Sequence, residues 1–293
     1  MSELNQDLFE SDTIFELPPK KPYLSWSRIE TFLKCGEQFR RRYIEREIIP
    51  PGFALVAGSG AHRSVECNLR QKHDTGKLMS EEQIETLARE EVDRIVDEKG
   101  IRLFGKEKDL GKIAVVDEAK NRAMTLGLVH SKAVAPNLNI AYVEHEFRVV
   151  LNNYPFDIVG VVDVIEKPEP NSTVGMFRDT KTSSTKKQMA DTSDQLTLYG
   201  FWGKQKFGAM PPLAIDLLVA TKTPQYECQR TYRRDDDVKT LARRVETIVD
   251  AFRKGVFLPA KQDDWWCSQK FCGYADTCPY FRKKVVVSVG DLS

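Results

Sequence analysis

Two carboxylates and an ammonium lie on two neighbouring segments that have the pattern of β-strands. In "FRDTKTSS" Asp179 and Lys181 are two positions apart, so an extended chain places both side chains on one face. Asp163 belongs to the preceding apolar segment "DIVGVVDVIE", where it shares a face with aliphatic residues. An unpaired carboxylate in an apolar row costs several kcal/mol, so the sequence predicts a compensating group close to Asp163.

A hairpin explains how the two carboxylates could meet. If its turn is centred near Asn171, Asp163 lies directly opposite Asp179, and the two charges repel each other. A divalent cation between them would turn this repulsion into a binding site, and aspartate oxygens suit magnesium or manganese. The alternative interpretation is that Asp179 and Lys181 form a surface ion pair while Asp163 caps a strand end.

Polar side chains on two predicted helices could join this site. A helix predicted to begin near Gly58 carries His62 and Glu66 beside its apolar edge, although a lone helical histidine is more often structural. On a later helix, Gln195 and Tyr199 lie one turn apart. The stretch from residue 192 to 195 also has the pattern of a capping box, and Tyr199 could simply pack against a nearby tryptophan.

Three cysteines lie in the short aromatic segment "WWCSQKFCGYADTCPYF", at Cys267, Cys272 and Cys278. A reducing cytosol makes a disulfide framework improbable, so this spacing indicates metal or cluster ligation that still needs a fourth ligand. The Cys-Pro pair at residues 278 and 279 resembles the end of ferredoxin cysteine runs, which favours a [4Fe-4S] cluster, with structural zinc as the alternative.

The elements that must position these residues alternate between helical and strand patterns. Residues 1–22 have the composition of a flexible tail, and the charged region at about 77–136 has a helical pattern without a chemical motif. The predicted order of helix, three strands, helix and strand indicates an α/β core with a mixed sheet. The predicted strands are 142–151, 157–166, 174–181 and 213–221, and the predicted helices begin near residues 25, 58, 192 and 234.

Composition sets broad limits on location and partners. The 293 residues contain 44 lysines and arginines against 43 aspartates and glutamates, so any basic surface must be local. The acidic start has no signal-peptide pattern and no later run is long enough to span a membrane, so a cytoplasmic protein without a membrane partner is expected. The sequence contains no Walker A loop.

The motifs occur in an order that resembles a known family. "GSGAHRSVE" on a helix, "GVVD" and "RDTK" on successive strands, and "QLTLY" on a helix resemble the PD-(D/E)XK nucleases of the RecB-like exonuclease branch. This branch includes nucleases of CRISPR adaptation and of phage recombination. The opening helix "LSWSRIETFLKC" is also similar to that branch. The resemblance implies one nuclease domain over residues 23–293, with a restriction-endonuclease-like α/β core and a helical insertion at 77–136.

The resemblance also implies roles for individual residues. His62, Asp163 and Asp179 would bind Mg²⁺ or Mn²⁺ together with the backbone carbonyl of Thr180. Lys181 would position or activate the attacking water.

Two further sets of residues receive roles from the same resemblance. Gln195 and Tyr199 would steady DNA near the metal. Cys35 would complete an iron–sulfur site with Cys267, Cys272 and Cys278, joining the N-terminal helix to a cluster-binding segment at 262–283.

The implied activity is metal-dependent DNA hydrolysis. The resemblance predicts an exonuclease acting on single-stranded DNA or at DNA ends, in recombination, repair or CRISPR spacer processing. A helicase, or a recombination or CRISPR-adaptation protein, would be its protein partner. The alternative function is a non-catalytic DNA-binding or assembly subunit that keeps the nuclease fold. The presence of Asp163, Asp179 and Lys181 together favours the enzyme, because a binding module has no need of all three.

Overall fold

The computed structural model describes residues 22–151 and 156–282, and these form a mixed sheet flanked by helices. The predicted tail lies outside the described residues apart from Pro22. The strands are β1 (Tyr23–Ser25), β2 (Ile140–Val149), β3 (Asp157–Glu166), β4 (Phe177–Ser183), β5 (Leu213–Val219) and β6 (Gln225–Thr231). The α-helices are α1 (Trp26–Lys34), α2 (Gly36–Phe39), α3 (Phe53–Thr75), α4 (Glu81–Lys99), α5 (Lys106–Leu110), α6 (Lys112–Ala133), α7 (Asp194–Phe207) and α8 (Asp235–Arg253).

The sheet is built around β3, β4 and β5. Along the main path the order is β1-β3-β4-β5-β6, and β2 pairs with the other edge of β3. β4 and β5 are parallel, whereas β3 pairs antiparallel with β2 and β4. β5 is buried along its whole length, which fits its continuous apolar sequence. The sheet is therefore mixed, as the order of elements predicted.

A gap in the pairing of β3 positions the polar residues. β1 pairs with β3 only at residues 157–159, and β4 pairs with it only at Val164 and Ile165. Because β2 occupies the opposite edge of β3, β1 and β4 share this edge and leave the stretch between them without a strand partner. The pairing of Val164 with Arg178 confirms the hairpin register, in which Asp163 comes opposite Asp179 one residue further along.

Two hydrophobic regions pack against the sheet. The larger one joins α1, α7 and α8 to one face, and includes Phe177, Tyr199 and Trp202. On the other side α3 packs against α4 and α6. In the last turns of α3, Val65 and Leu69 contact the sheet through Val164. The residues of the predicted insertion thus form helices that hold α3 in place over the sheet.

A buried ion network fixes β4 against β5. The Arg178 guanidinium donates to Asp216 Oδ1 at 2.8 Å and also to Glu166 at the end of β3. The Tyr226 hydroxyl donates to the same oxygen of Asp216 at 2.8 Å. Burial alone would lower the pKa of Arg178, but the charges of Asp216 and Glu166 raise it, so the guanidinium stays charged. The network holds the strand that carries Asp179 and Lys181 in a single register.

The first predicted helix is interrupted at Cys35. This residue is extended, with φ −164° and ψ 108°, and it separates α1 from α2. α2 continues into a π-helical turn at Arg40–Ile44. The Gly36 amide donates to the Leu258 carbonyl at 2.7 Å, and a Cβ at Gly36 would lie 2.7 Å from the Leu258 nitrogen. The C-terminal segment therefore packs directly against this break, where only glycine leaves enough space.

Across the two described ranges, none of the helices combines the length and the apolar character required to cross a bilayer.

Candidate metal centre and active site

Three ligand atoms converge at the edge of the β3 gap. His62, Glu144 and Asp163 each offer one atom, and these atoms all lie within 4.8 Å of one another. His62 Nε2 is 3.1 Å from Asp163 Oδ2 and 3.7 Å from Glu144 Oε1. The Thr180 amide donates to Asp163 Oδ2 at 2.7 Å, so the carboxylate bridges β4 and α3. One imidazole and two carboxylates form a donor set suited to a hard or borderline divalent cation.

Glu144 was not predicted from the sequence, although a signal for it was present. Val143 and His145 on β2 pair with Val164 and Val162, so Glu144 stands opposite Asp163. A symmetric hairpin about the "NNYP" turn gives the same pairing. Glu144 has a φ of 51°, a left-handed conformation that is unusual for a residue with a Cβ. Strain of this kind is typical of functional sites, and it supports a role for Glu144 in the site.

The charges of the group change its proton affinities. Burial would lower the pKa of His62, but its hydrogen bond to Asp163 and the nearby carboxylates raise it to about 9. Burial raises the pKa of Glu144 to about 7, with the charge of Asp163 adding to the effect. The pKa of Asp163 is lowered, since contact with His62 outweighs burial. A proton held by His62 thus balances part of the negative charge.

Asp179 and Lys181 form an adjoining pair. Lys181 Nζ lies 2.8 Å from Asp179 Oδ2 and 3.0 Å from Asp179 Oδ1. Asp179 is 1% exposed, so the surface ion pair considered from the sequence is ruled out for its carboxylate. Burial raises the pKa of Asp179 to about 6, with Asp163 adding to the rise and Lys181 opposing it. Asp179 is not one of the three converging ligands, so its predicted metal contact stays a prediction.

Gln195 connects Lys181 to Tyr199. Lys181 Nζ donates to Gln195 Oε1 at 2.9 Å, and Gln195 Nε2 donates to the Tyr199 hydroxyl at 2.6 Å. The Tyr199 hydroxyl in turn donates to the Val161 carbonyl within the β3 gap. The alternative that Gln195 closes a capping box is wrong, because Ser193 caps α7 by accepting from the Leu196 amide. Tyr199 is fully buried, and a DNA contact by it stays a prediction.

Four cysteines surround a second cavity. Cys35, Cys267, Cys272 and Cys278 line a small cavity of about 20 Å³ between α2 and the C-terminal segment. The amides of Gln38 and Ala260 each approach Cys35 Sγ at 3.4 Å. Burial raises the pKa of Cys267, and the other three thiols raise it further. The four cysteines, which are far apart in the sequence, thus lie around one cavity in the folded protein.

Arg41 joins the same two segments without any metal. Its guanidinium donates to the Thr277 hydroxyl at 2.7 Å and lies 4.7 Å from the centroid of the Tyr274 ring. It also forms an ion pair with Glu47 at 2.7 Å. These contacts link the N-terminal helices to the cysteine segment through direct protein interactions.

The family model described as the PD-(D/E)XK nuclease superfamily matches residues 23–279. The chain belongs to this superfamily. The match confirms the resemblance found in the sequence at the level of the superfamily, and the mixed sheet with flanking helices confirms the predicted PD-(D/E)XK fold class. The narrower assignment to a branch with an iron–sulfur cluster stays a prediction.

Two solved structures are similar to this PD-(D/E)XK protein. A candidate exonuclease from Eubacterium rectale is 14% identical, with a TM-score of 0.49 and coverage of 92% of both chains. The structure of SSO0001 is 13% identical, with a TM-score of 0.42 and coverage of 91% of this chain and 90% of that one. Among curated proteins, no significant match is found.

A buried histidine on α6 lies behind the superfamily site. His130 is 0% exposed, and among the described residues neither of its ring nitrogens has a hydrogen-bond partner. Burial lowers the pKa of His130 to about 3, and the positive charges of His62 and Arg178 contribute to the shift. The folded protein therefore keeps His130 neutral at pH values where an unfolded chain would protonate it.

We expect acid to destabilise the protein through His130. Because the folded pKa is below the unfolded value of about 6.5, the contribution of His130 is complete above that value and declines as the pH falls. Between about pH 7.5 and pH 5.0 the loss is about 2 kcal/mol. The free energy of unfolding, measured with urea at both pH values, should fall about 2 kcal/mol less for His130→Leu than for wild type when the pH is lowered. The exposed His73→Gln control should show no such difference, and an equal difference in the two variants would contradict this account.

Proposed function

We propose that this protein is a metal-dependent deoxyribonuclease. It would hydrolyse phosphodiester bonds as an exonuclease, in single-stranded DNA or at DNA ends. The observation that carries the proposal is the convergence of His62, Glu144 and Asp163 beside the Lys181–Asp179 pair. Membership of the nuclease superfamily supports the same chemistry.

The site fits a divalent cation. His62, Glu144 and Asp163 provide three donor atoms close enough to share one ion, and the buried Asp179 carboxylate lies beside them, paired with Lys181. Asp179 and the Thr180 carbonyl are proposed as further ligands. Such an ion, Mg²⁺ or Mn²⁺, would supply Lewis acidity toward a phosphate oxygen and acidify water.

The protein's own groups would orient the reaction. Lys181 carries a positive charge that Asp179 and Gln195 hold in place, so it can donate a hydrogen bond to the attacking water and offset the negative charge that develops on the phosphate. The Gln195 carbonyl oxygen would hold the Lys181 ammonium in one orientation, and the Tyr199 hydroxyl would hold the Gln195 side chain by accepting a hydrogen bond from its amide. Tyr199 and Gln195 are therefore proposed as positioning residues, with DNA contact by Gln195 as a second role.

Digestion of labelled single-stranded and blunt duplex DNA tests this proposal. Wild-type protein should cleave with Mg²⁺ or Mn²⁺, and a chelator should stop the reaction. Asp163→Asn and Glu144→Gln should each lower the rate about 100-fold or more, because each removes a charge from the ligand group. Glu146→Gln is the matched control, since Glu146 is an exposed carboxylate two residues further along β2.

Two results would contradict the proposed nuclease activity of this site. One is a wild-type protein that binds DNA but shows no chelator-sensitive cleavage, which would favour a non-catalytic DNA-binding or assembly subunit. The other is equal activity in the wild type and Asp163→Asn, which would place the chemistry elsewhere or in a contaminant. The length distribution of the products distinguishes exonucleolytic from endonucleolytic cleavage.

The cysteine cluster is proposed to hold a [4Fe-4S] cluster. Tetrahedral zinc holds its sulfur ligands at about 2.3 Å, which places the sulfurs about 3.8 Å apart. The ligands of an iron–sulfur cube are spaced more widely than those of zinc, and the Cys-Pro pair at residues 278 and 279 favours the cube. The amides of Gln38 and Ala260 that approach Cys35 Sγ would stabilise its thiolate as a ligand.

The biological setting of the proposed nuclease is recombination, repair or CRISPR spacer processing in the cytoplasm. A helicase, or a recombination or CRISPR-adaptation protein, is the proposed partner, because the sequence has no Walker A loop.

A further inference from the structure

A long groove begins close to the candidate active site. It has a volume of about 620 Å³ and lies between the first turn of α3, helices α5 and α6, and the cysteine segment. Thr182, Ser183 and Ala220 at the carboxyl ends of β4 and β5 form its floor. In α/β proteins the space beyond the carboxyl ends of parallel strands is a usual place for ligands.

Gly58 connects the groove to the metal ligands. It lines the groove one helical turn before His62, and a Cβ at this position would lie 2.9 Å from Thr182 Oγ1. Thr182 directly follows Lys181 in β4. A chain lying in the groove would therefore arrive within about one helical turn of the site where the phosphodiester is proposed to be cut.

The groove walls combine aromatic rings with cationic side chains. Its charged lining consists of three cationic and two acidic side chains, namely Arg102, Arg122, Lys270, Glu107 and Glu118. The Arg122 guanidinium lies 4.5 Å from the centroid of the Phe53 ring and 3.7 Å from Glu118. The Glu107 carboxylate accepts from the Phe104 amide, which occupies one of its oxygens.

Two exposed aromatic rings extend this wall. Phe271 lines the groove and is 49% exposed, and Trp265 beside it is 61% exposed. Their ring centroids are 4.8 Å apart with the planes at 87°, so each ring keeps a face free of the other. Exposed rings next to cations form the usual platform for unpaired bases, since every base has a face that can stack.

Arg102 holds the aromatic wall in place. Its guanidinium donates to the Gln269 carbonyl at 2.9 Å and to the Lys270 carbonyl at 3.0 Å. The position of Phe271 relative to the helices is therefore set by contacts within the protein. The aromatic wall exists before any ligand arrives.

We propose that this groove holds single-stranded DNA, with bases stacked on Phe271 and Trp265 and the backbone beside Arg122 and Lys270. Stacking on a side chain requires an unpaired base, so the groove would select a single strand over a duplex. This inference rests on the proposed nuclease function, and names single-stranded DNA as the substrate class of that site.

Binding measured apart from cleavage tests the groove. In a Lys181→Ala background with chelator present, fluorescence anisotropy would compare labelled (dT)20 with a 20-base-pair duplex. Phe271→Ala and Trp265→Ala should each weaken binding of (dT)20 by about 5- to 100-fold, which corresponds to the loss of one stacked base. Binding of the duplex should change less than about twofold, because its bases are already stacked on each other.

Matched controls and a second measurement keep the test independent of folding. Tyr232→Ala removes a ring that is 73% exposed and lies outside the groove, and it should bind (dT)20 like the parent protein. Photo-crosslinking of an oligonucleotide that contains 5-iododeoxyuridine should label Phe271 or Trp265 in the otherwise intact protein. Labelling confined to other surfaces, or an equal loss of single-strand and duplex binding, would overturn the proposal.

The groove and the nuclease can fail separately. If the wild type cleaves DNA while the groove variants bind (dT)20 normally, only the groove assignment is wrong. If the wild type never cleaves but Phe271→Ala weakens single-strand binding, the groove is a DNA-binding site and the proposed nuclease activity is wrong. Capture of a protein partner by the aromatic pair, with (dT)20 binding unchanged, would also reject the groove as a DNA site.

Discussion

Lys181→Ala is expected to lower the rate of DNA hydrolysis by about 10²- to 10⁴-fold. The ammonium can both hold a water molecule and offset charge on the phosphate, and two side chains hold it in position. Single-turnover cleavage of labelled DNA with Mn²⁺ would measure the effect. Because the proposed metal ligands remain, Mn²⁺ binding to the variant should persist.

The control for this result is Lys186→Ala. Lys186 is exposed in the loop after β4, so its substitution removes the same charge a few residues away. It should leave the cleavage rate within about twofold of wild type. If Lys181→Ala and Lys186→Ala cleave at the same rate, Lys181 has no part in the chemistry and the proposed site is wrong.

Cys272→Ser is expected to remove the cluster and to destabilise the whole domain. A cluster that ties Cys35 to Cys267 closes a loop that spans most of the chain. From the loop-closure entropy of the unfolded chain, losing this link should lower the free energy of unfolding by about 5 kcal/mol. For a protein of this size that corresponds to a fall in melting temperature of roughly 8 °C. Anaerobically purified wild type should be brown and contain iron and sulfide, and Cys272→Ser should be colourless.

Cys67→Ser is the matched control, because Cys67 lies on α3 outside the cysteine pocket. It should keep the colour, the iron content and the melting temperature. A colourless wild type that contains only zinc would contradict the iron–sulfur proposal while leaving the four-cysteine site in place. Equal melting temperatures for wild type and Cys272→Ser would instead show that contacts such as those of Arg41 already hold the two segments.

Much of the fold follows from local patterns in the sequence. The turn centred near Asn171 set the register of β3 and β4, because a buried face allows only one alignment. β1 and β6 were not predicted. β1 has only three residues, and β6 reads "QYECQRT", where half-buried polar side chains hide the strand pattern. α3 begins at Phe53 rather than near Gly58, since its first turn packs against helices that are distant in the sequence.

The site was predicted in part. His62, Asp163, Asp179 and Lys181 lie together, as their motifs in the sequence predict, and their roles stay predictions. Glu144 was missed because its same-face neighbours on β2, Tyr142 and Glu146, are exposed, and only its pairing opposite Asp163 indicates its position. The break at Cys35 depends on the close approach of Leu258, a long-range contact that a local helical pattern does not contain.

The buried hydroxyl of Tyr199 has consequences for how the protein can evolve. It donates a hydrogen bond to the Val161 carbonyl on the unpaired edge of β3. It also accepts a hydrogen bond from the Gln195 side-chain amide, which in turn contacts Lys181. A substitution at Tyr199 would therefore disturb the unpaired edge of β3 and the proposed orientation of Lys181 together, which couples the two features in the protein's evolution.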